Sequence, residues 1–253
     1  METLTIITAT LNSENTINKT LDSVRNLKLF YNNIEYIIVD GYSNDNTVQL
    51  VEASGIADKV LMRKRGGVYD AMQFGINNSR GEFVWILNSD DYLSEDSVEY
   101  LKLAYDRMDR VDVFHSNIIF SDSEGKSQRL FRSSIWRLIL VGMNYYHPTM
   151  IVRRELYNKY PLNRDMRLSS LADYGFIFEV LFRSNAKIHH FDLYPVVFEL
   201  GGVSSKLSLK DSMFQNFLVR REHLGIFMAS ISILITFALR VIRKVTLCAN
   251  KIF

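Results

Sequence analysis

An apolar run that ends in two acidic residues is the strongest constraint on how this chain folds. Phe83–Leu87 is wholly apolar, which is typical of a buried strand, and Asn88, Ser89, Asp90 and Asp91 follow it directly. Buried strands of open α/β sheets present ligand-binding groups at their carboxyl ends. Adjacent carboxylates repel each other there unless a cation or solvent compensates them, and oxygen ligands suit Mg²⁺ or Mn²⁺. The alternative is an acidic pair that caps a helix or lies in a wet turn.

The first ninety residues alternate between strand and helix patterns. Predicted strands cover residues 4–11, 36–39, 60–62 and 83–87; predicted helices follow Asn12 and Ser13 as caps, include Val48 and Val51, and cover residues 69–78. This alternation predicts an α/β fold with a Rossmann-like, mainly parallel sheet flanked by helices. Asp40 ends the second strand, so it should share one sheet edge with Asp90 and Asp91. One nucleotide-sized ligand could touch all three.

The usual nucleotide-binding motifs do not account for this edge. No Gly-x-Gly-x-x-Gly follows the first strand, so the dinucleotide fingerprint is absent. The segment Gly125-Lys126-Ser127 has the ending of a P-loop, but Phe120 stands where that motif needs glycine. Residues 121–124 instead look like a hairpin turn.

An ordered series of motifs resembles the family 2 glycosyltransferases, in particular a bacterial subgroup that builds surface polysaccharides. The matching segments are Val39–Thr47, Gly67–Ile76, Leu87–Asp91, His147-Pro148, Ala172–Tyr174 and Gly201–Ser204. The resemblance covers roughly residues 3–206. It implies the glycosyltransferase A fold and a nucleotide-sugar donor.

The resemblance also implies residue roles. The matching functional positions are Thr8, Asp40, Asp70, Asp90, Asp91, His147, Asp173 and Gly202. The first four would bind the donor, with Asp40 on the base or ribose and Asp70 near the sugar. Asp91 would ligate the Mg²⁺ or Mn²⁺ ion that bridges the diphosphate. Asp173 would be the general base on the acceptor hydroxyl, and the histidine and glycine would line the acceptor side.

Glycosyl transfer needs these residue types. A divalent cation stabilises the departing diphosphate, and a carboxylate that takes the acceptor proton contributes on the order of 10²–10⁴-fold. Each assignment has an alternative. Asp40 could only hold the Ser43-Asn44 turn, Asp173 could be the N-cap of the helix that follows, and Asp70 could be solvated.

Other features are interpreted more simply. His189 and His190 are expected to be structural residues on a strand, Trp85 a core residue and Trp136 a surface anchor. One departure from the subgroup is the basic run of residues 63–65, where acidic residues are usual. This run could favour a phosphate-rich donor or be a solvated charge cluster.

The predicted organisation is a catalytic domain, residues 1–223, followed by a membrane-associating helix and basic tail, residues 224–253. Residues 224–239 carry no charge, but these 16 residues fall short of the roughly 20 that span a bilayer. Residues 206–253 hold eight of the 30 basic residues and two of the 28 acidic ones. The helix could insert, lie on anionic headgroups, or close the soluble domain. Nucleic acid is not expected as a partner, because the basic residues flank an apolar run.

Together these features predict an inverting, metal-dependent glycosyltransferase of cell-surface polysaccharide biosynthesis. The resemblance implies a lipid-linked glycan acceptor at the cytoplasmic face of a bacterial inner membrane. The single cysteine, Cys248, fits a reducing compartment, and no signal peptide is expected. The alternatives are an inactive membrane-bound assembly protein of the same fold and a nucleotidyltransferase, although no glycine-rich triphosphate loop is found.

Overall fold

Strands and helices alternate along the chain, as the sequence predicts. The computed structural model describes residues 4–64, 66–121, 127–130, 134–141, 144–163, 167–168, 171–200 and 208–249. The chain divides into a first unit, Met1–Arg132 with Tyr146–Lys206, and a second unit, Ser133–Tyr145 with Leu207–Phe253.

A seven-stranded sheet forms the centre of the first unit. Its strands, from edge to edge, are β10 (Ile188–Phe191), β6 (Val113–Ser116), β9 (Ile151–Arg153), β4 (Phe83–Ile86), β1 (Leu4–Thr10), β2 (Ile34–Asp40) and β3 (Lys59–Met62). Only β9 runs antiparallel to its neighbours within this sheet. The mainly parallel α/β class is therefore confirmed. Because the other six strands run the same way, their carboxyl ends share one edge.

A smaller sheet, seven α-helices and a short 3₁₀ helix (His147–Thr149) complete the elements that the structure describes before the C-terminal helix. The smaller sheet consists of β5 (Tyr92–Leu93), β11 (Val196–Glu199), β7 (Ile118–Ser121) and β8 (Ser127–Leu130). The helices are α1 (Ile17–Phe30), α2 (Thr47–Ser54), α3 (Gly67–Asn77), α4 (Asp96–Tyr105), α5 (Ile135–Leu140), α6 (Arg154–Lys159) and α7 (Ala172–Arg183). The predicted hairpin turn overlaps residues 122–126, which lie outside the described residues; the flanking β7 and β8 pair antiparallel.

Burial on both faces explains why β1 and β2 form. All seven residues of each strand are buried, and Thr10 pairs with Asp40 at the carboxyl end. Helix α3 packs closely over this pair: a Cβ at Gly75 would lie 2.7 Å from Ile7 Cγ2 and 3.0 Å from Val39 Cγ2. The close packing fixes where α3 begins relative to the sheet edge.

The predicted caps of α1 are wrong. The helix begins at Ile17 with Thr16 as N-cap, four residues after Ser13. Asn12 and Ser13 instead tie loops together: the Asn12 side-chain oxygen accepts a hydrogen bond from the Asn44 N–H at 3.0 Å. These bonds use the polar side chains that would otherwise have capped the helix.

The second unit contains α5 and the long helix α8 (Leu209–Ala249). Gly225 interrupts α8 with φ 81° and ψ 163°, a conformation essentially restricted to glycine, and so kinks the helix. Among the described helices one, residues 210–239, is long and apolar enough to cross a membrane, which by itself is weak support for a span. The unit boundary at 206/207 differs from the predicted functional division at 223/224, which stays a prediction.

The positions of four residues agree with the simpler interpretations. Trp85 is completely buried, whereas 71% of Trp136 is exposed. His189 and His190 lie on β10, where His190 Nδ1 is 3.4 Å from His115 Nδ1 of the neighbouring strand.

Candidate active site

The loops that follow β1, β2 and β4 are hydrogen-bonded to one another. The Gly41 N–H donates to the Thr10 carbonyl at 2.8 Å, which joins the ends of β1 and β2. The Ser13 and Ser89 hydroxyls lie 2.9 Å apart, which joins the loops after β1 and β4. The structure therefore brings the loops that carry Asp40 and the acidic pair to one edge, as predicted.

Asp40 is completely buried at the end of β2. Its Oδ1 accepts the Ser43 N–H at 2.7 Å, and its Oδ2 accepts the Ser43 hydroxyl at 2.6 Å. The alternative in which Asp40 holds the Ser43 turn thus has direct geometric support. A carboxylate oxygen has two lone pairs and so can accept a further hydrogen bond; contact of Asp40 with a base or ribose stays a prediction.

The acidic pair after β4 has two different environments. Asp91 is completely buried; its Oδ2 accepts the Asn88 amide at 2.7 Å and its Oδ1 accepts the Glu199 N–H at 3.2 Å. Asp90 is partly exposed. Burial, followed by the charge of Asp90, raises the pKa of Asp91 well above its usual range. Burial also raises the pKa of Asp90, with the charge of Glu199 adding to it.

These environments suit a divalent cation. The raised pKa values mean that the ionised forms of these two neighbouring carboxylates are destabilised, and bound Mg²⁺ or Mn²⁺ would supply the positive charge that stabilises them. Asp91 keeps lone pairs beyond its two hydrogen bonds, and Asp90 is partly exposed. The residues present therefore fit a hard metal ion, with both aspartates able to contribute oxygens.

Glu199 and Lys19 are neighbours of the acidic pair that the sequence did not point to. Lys19 Nζ lies 2.6 Å from Glu199 Oε1, and it also lies 5.7 Å from the centre of the Tyr92 ring. Glu199 ends β11, more than 100 residues after Asp91. No local spacing pattern could have joined them.

Thr8 is completely buried inside β1. Its hydroxyl lies 3.1 Å from the Tyr36 hydroxyl of the adjacent strand. Thr8 therefore helps to hold β1 and β2 together near the sheet edge, and its contact with a donor stays a prediction.

Asp70, in the first turn of α3, is held by an ion pair. Arg63 Nε lies 2.7 Å from Asp70 Oδ2, and Arg63 Nη2 lies 3.2 Å from Oδ1. The Asn163 amide donates to Oδ1 at 3.0 Å. Asp70 is only 7% exposed, so the alternative of a solvated residue is wrong. The Arg63 contact holds the pKa of Asp70 below its usual value.

Asp173, the predicted base, contacts α3. Its Oδ1 accepts the Tyr69 hydroxyl at 2.8 Å and the Tyr174 N–H at 2.9 Å. The N-cap of α7 is Leu171, so the alternative that Asp173 caps this helix is wrong. Burial raises the pKa of Asp173 to about 6, although the Tyr69 hydrogen bond lowers it. A carboxyl group with this pKa is ionised near neutral pH yet basic enough to take a proton.

His147 lies close to the same helix. Its Nε2 is 3.0 Å from the Tyr157 hydroxyl, and its ring meets Phe176 of α7 edge-on. Burial lowers the pKa of His147 to about 4, so the ring is neutral at physiological pH. Its predicted place on the acceptor side is untested, and Gly202 lies outside the described residues.

The sheet edge thus carries Asp40 and the acidic pair, and a hydrogen bond between α3 and α7 holds the buried carboxyl group of Asp173 in the same unit. This set of residues fits a transferase that uses an activated donor. The chain matches the family model "Glycosyl transferase family 2" over residues 5–163. The match covers more than half of the chain, and the protein belongs to this family of nucleotide-sugar-dependent glycosyltransferases.

Curated relatives and solved structures agree with this family. The chain is 26% identical to an uncharacterized glycosyltransferase of Haemophilus influenzae, over 89% of this chain and 91% of that protein. It is 24% identical to the poly(ribitol-phosphate) beta-N-acetylglucosaminyltransferase TarS of Staphylococcus aureus, over 73% of this chain but only 33% of TarS.

The solved structures show the same fold. TarS residues 1–349 in complex with UDP-GlcNAc superpose with a TM-score of 0.67 at 23% identity, over 85% of this chain and 65% of that one. The mannosyltransferase PcManGT of Pyrobaculum calidifontis, in complex with GDP-Man and Mn²⁺, gives 0.60 at 15% identity, over 91% and 69%. The glycosyltransferase A fold implied by the sequence is confirmed.

Proposed function

We propose that this protein is an inverting glycosyltransferase that moves one sugar from a nucleotide-sugar donor to a glycan acceptor, with Mg²⁺ or Mn²⁺ at the diphosphate. TarS and PcManGT were solved with UDP-GlcNAc and with GDP-Man and Mn²⁺ respectively, which supports a nucleotide-sugar and a divalent metal here. The surface-polymer substrate in the name of TarS supports a role in cell-surface polysaccharide synthesis.

The observation that carries the proposal is the contact between Tyr69 and Asp173. Tyr69 belongs to α3, which also carries Asp70, the residue proposed to lie near the donor sugar. Successive residues of a helix point about 100° apart, so α3 can present one side chain to the base and the next to Arg63. The base is thereby tied to the donor-side helix.

The residues of this chain would act in sequence as follows. Asp40 orients the nucleoside, and the acidic pair holds the cation. That cation, when bound, stabilises the negative charge of the departing diphosphate. Asp173 takes the proton of the acceptor hydroxyl as that oxygen attacks the sugar carbon from the side opposite the diphosphate, which inverts its configuration. Tyr69 keeps the Asp173 carboxylate oriented through its hydroxyl.

We also propose that the acceptor is lipid-linked and that the protein works at the cytoplasmic face of a bacterial inner membrane. The apolar helix at residues 210–239, only 11% of whose most apolar window is buried, supports membrane association. Basic residues on both sides of its uncharged stretch would face anionic headgroups.

Asp173→Asn tests the reaction. A panel of nucleotide-sugars is screened by thermal shift with Mn²⁺, and transfer and hydrolysis of the best donor are then measured. The variant keeps the size of the side chain but cannot take a proton, so turnover should fall by about 10² or more while donor affinity stays the same. A variant that turns over normally would remove Asp173 as the base. Wild-type protein that binds no nucleotide-sugar would support the inactive assembly protein instead.

A further inference from the structure

Asn163 is a neighbour of Asp70 to which the functional assignments give no role. It follows α6 in the sequence and precedes the helix that carries Asp173. Its side-chain amide donates to Asp70 Oδ1 at 3.0 Å. Because an ionised carboxylate only accepts hydrogen bonds, this contact fixes which end of the Asn163 amide faces Asp70. Asn163 therefore contacts the residue that is proposed to lie near the donor sugar.

The residue before Asn163 holds the same segment against α3. The buried Leu162 donates its main-chain N–H to the Gln73 side-chain oxygen at 3.0 Å, and the Gln73 NH₂ group donates to the Asn77 side-chain oxygen at 3.0 Å. Asp70 and Gln73 are three residues apart on α3, so they share one face of the helix. Two consecutive residues thus bind two positions on that face, which restricts where the Asn163 amide can lie.

The Asp70 carboxylate has one acceptor position left beyond its described hydrogen bonds. A carboxylate offers about four lone pairs, two on each oxygen. Arg63 Nη2, at 3.2 Å, and the Asn163 amide use both positions on Oδ1. Arg63 Nε, at 2.7 Å, uses one position on Oδ2. The remaining position is therefore on Oδ2, and Asn163 is the reason that none remains on Oδ1.

We propose that Asn163 is a specificity-determining residue for the donor sugar, because it leaves Asp70 a single acceptor position, on Oδ2. A group that binds there must donate a hydrogen bond, as a sugar hydroxyl or the N–H of an acetamido group does. One acceptor in one place discriminates between sugars by where they carry such a group. Without Asn163 the second position on Oδ1 would also accept, and sugars with the group elsewhere would bind better.

The inference rests on the proposed function, since it needs Asp70 at the donor sugar. The alternative is that Asn163 only ties its segment to α3; its loss would then lower stability and weaken the binding of every sugar equally. The contacts of Arg63 separate the two roles. Its guanidinium binds both oxygens of Asp70 and remains there without Asn163, so the carboxylate keeps its place while only the occupancy of Oδ1 changes.

Asn163→Ala tests the proposal in the full chain. Calorimetry with Mn²⁺ present measures the affinities for nucleotide-sugars that share one nucleotide and differ only in the sugar, and for the free nucleoside diphosphate. The shared nucleotide is that of the best donor in the thermal-shift panel. The preference for the best sugar over its stereoisomers should fall about 2- to 10-fold, the factor that one hydrogen bond typically contributes. The affinity for the nucleoside diphosphate should not change.

Three further variants sharpen the test. Asn163→Asp keeps the size of the side chain but cannot donate to Asp70 when ionised, so it should lower the preference at least as much. In an Asp70→Ala background the acceptor is gone, and adding Asn163→Ala should change the preference no further. The matched control is Asn78→Ala at the other end of α3. It removes an exposed amide that donates to the Phe74 carbonyl at 2.8 Å and should leave the preference unchanged.

An unchanged sugar preference in Asn163→Ala would overturn the proposal, and a lower melting temperature alongside it would assign Asn163 to holding its segment. A loss of preference that persists in the Asp70→Ala background would also overturn it, because Asn163 would then not act through Asp70. Equal binding of all the sugars by the wild type would leave nothing for Asn163 to select and would have the same consequence. Wild-type protein that binds and discriminates donors but transfers no sugar would refute the proposed reaction alone, whereas binding of no nucleotide-sugar would refute both.

Discussion

Tyr69→Phe should shift the pH dependence of transfer without removing any carbon atom of the side chain. The Tyr69 hydroxyl donates to Asp173 Oδ1 at 2.8 Å, and this bond lowers the pKa of a carboxyl group that burial has raised to about 6. The phenylalanine keeps the packing of the ring and deletes only this donor. The ionised form of Asp173 loses its stabilisation, so its pKa should rise.

The size of the shift follows from the type of hydrogen bond. A bond to a charged group contributes roughly 1.5–3 kcal/mol, and one pKa unit corresponds to about 1.36 kcal/mol. The pKa of Asp173 should therefore rise by about 1–2 units in Tyr69→Phe. At a pH half a unit above the wild-type value, the ionised fraction would fall roughly 3- to 25-fold, and kcat/KM with it.

The assay is kcat/KM for transfer as a function of pH, in buffers of constant ionic strength. A base must be deprotonated to act, so activity should fall on the acid side of about pH 6 in the wild type. In Tyr69→Phe the same fall should begin at higher pH, and the two curves should converge in alkaline buffer.

The control is Tyr31→Phe, whose hydroxyl contacts only the Val98 carbonyl among its described hydrogen bonds. Its acid limb should coincide with that of the wild type. An unmoved acid limb in Tyr69→Phe, with the melting temperature unchanged, would show that Asp173 is not the titrating base. A uniform loss of activity at every pH would instead show that Tyr69 orients the Asp173 carboxylate without changing its pKa.

Two further predictions concern the metal and the packing of the sheet edge. Asp91→Asn should abolish Mn²⁺-dependent donor binding in calorimetry, whereas Asp90→Asn should only weaken it; the reverse order would make the more exposed Asp90 the direct ligand. Gly75→Ala should lower the free energy of unfolding in urea by about 1–3 kcal/mol, because the new methyl group would lie 2.7 Å from Ile7 Cγ2. An unchanged urea midpoint would show that α3 can move away from β1.

The parallel part of the fold could be predicted because each of its strands has a recognisable pattern in its own short segment of sequence. The strands β1, β2 and β4 are short apolar runs, and burial on both faces makes such runs recognisable without any partner. Strand β9 has only three residues, and its antiparallel pairing with both β4 and β6 depends on distant chain. Nothing in its own sequence marks that position.

The candidate site likewise has one part that local sequence patterns predict and another part that they do not. Asp40 and the acidic pair follow buried strands, so their shared edge could be predicted from local patterns. The bond between Tyr69 and Asp173 joins residues 104 positions apart, and the contact of Glu199 with Asp91 joins residues 108 apart. Such contacts depend on how α7 and β11 pack, and no periodicity in the sequence indicates that packing. The caps predicted for α1 failed for a related reason, since Asn12 found a partner in the loop after β2.

Arg63 shows how a departure from a family pattern acquires a physical meaning once its contacts are known. The sequence left two interpretations open, a phosphate-rich donor or a solvated charge cluster. The Arg63 main-chain N–H donates to the Asp40 carbonyl at 2.8 Å, while its guanidinium forms a two-point pair with Asp70. One residue thus holds the strand end that carries the proposed nucleoside contact and the carboxylate proposed to lie near the sugar. Because Asp70 already neutralises this guanidinium, Arg63 adds little net charge for extra phosphate. Its place directly after β3 instead links the two parts of the proposed donor site, the end of β2 and the first turn of α3.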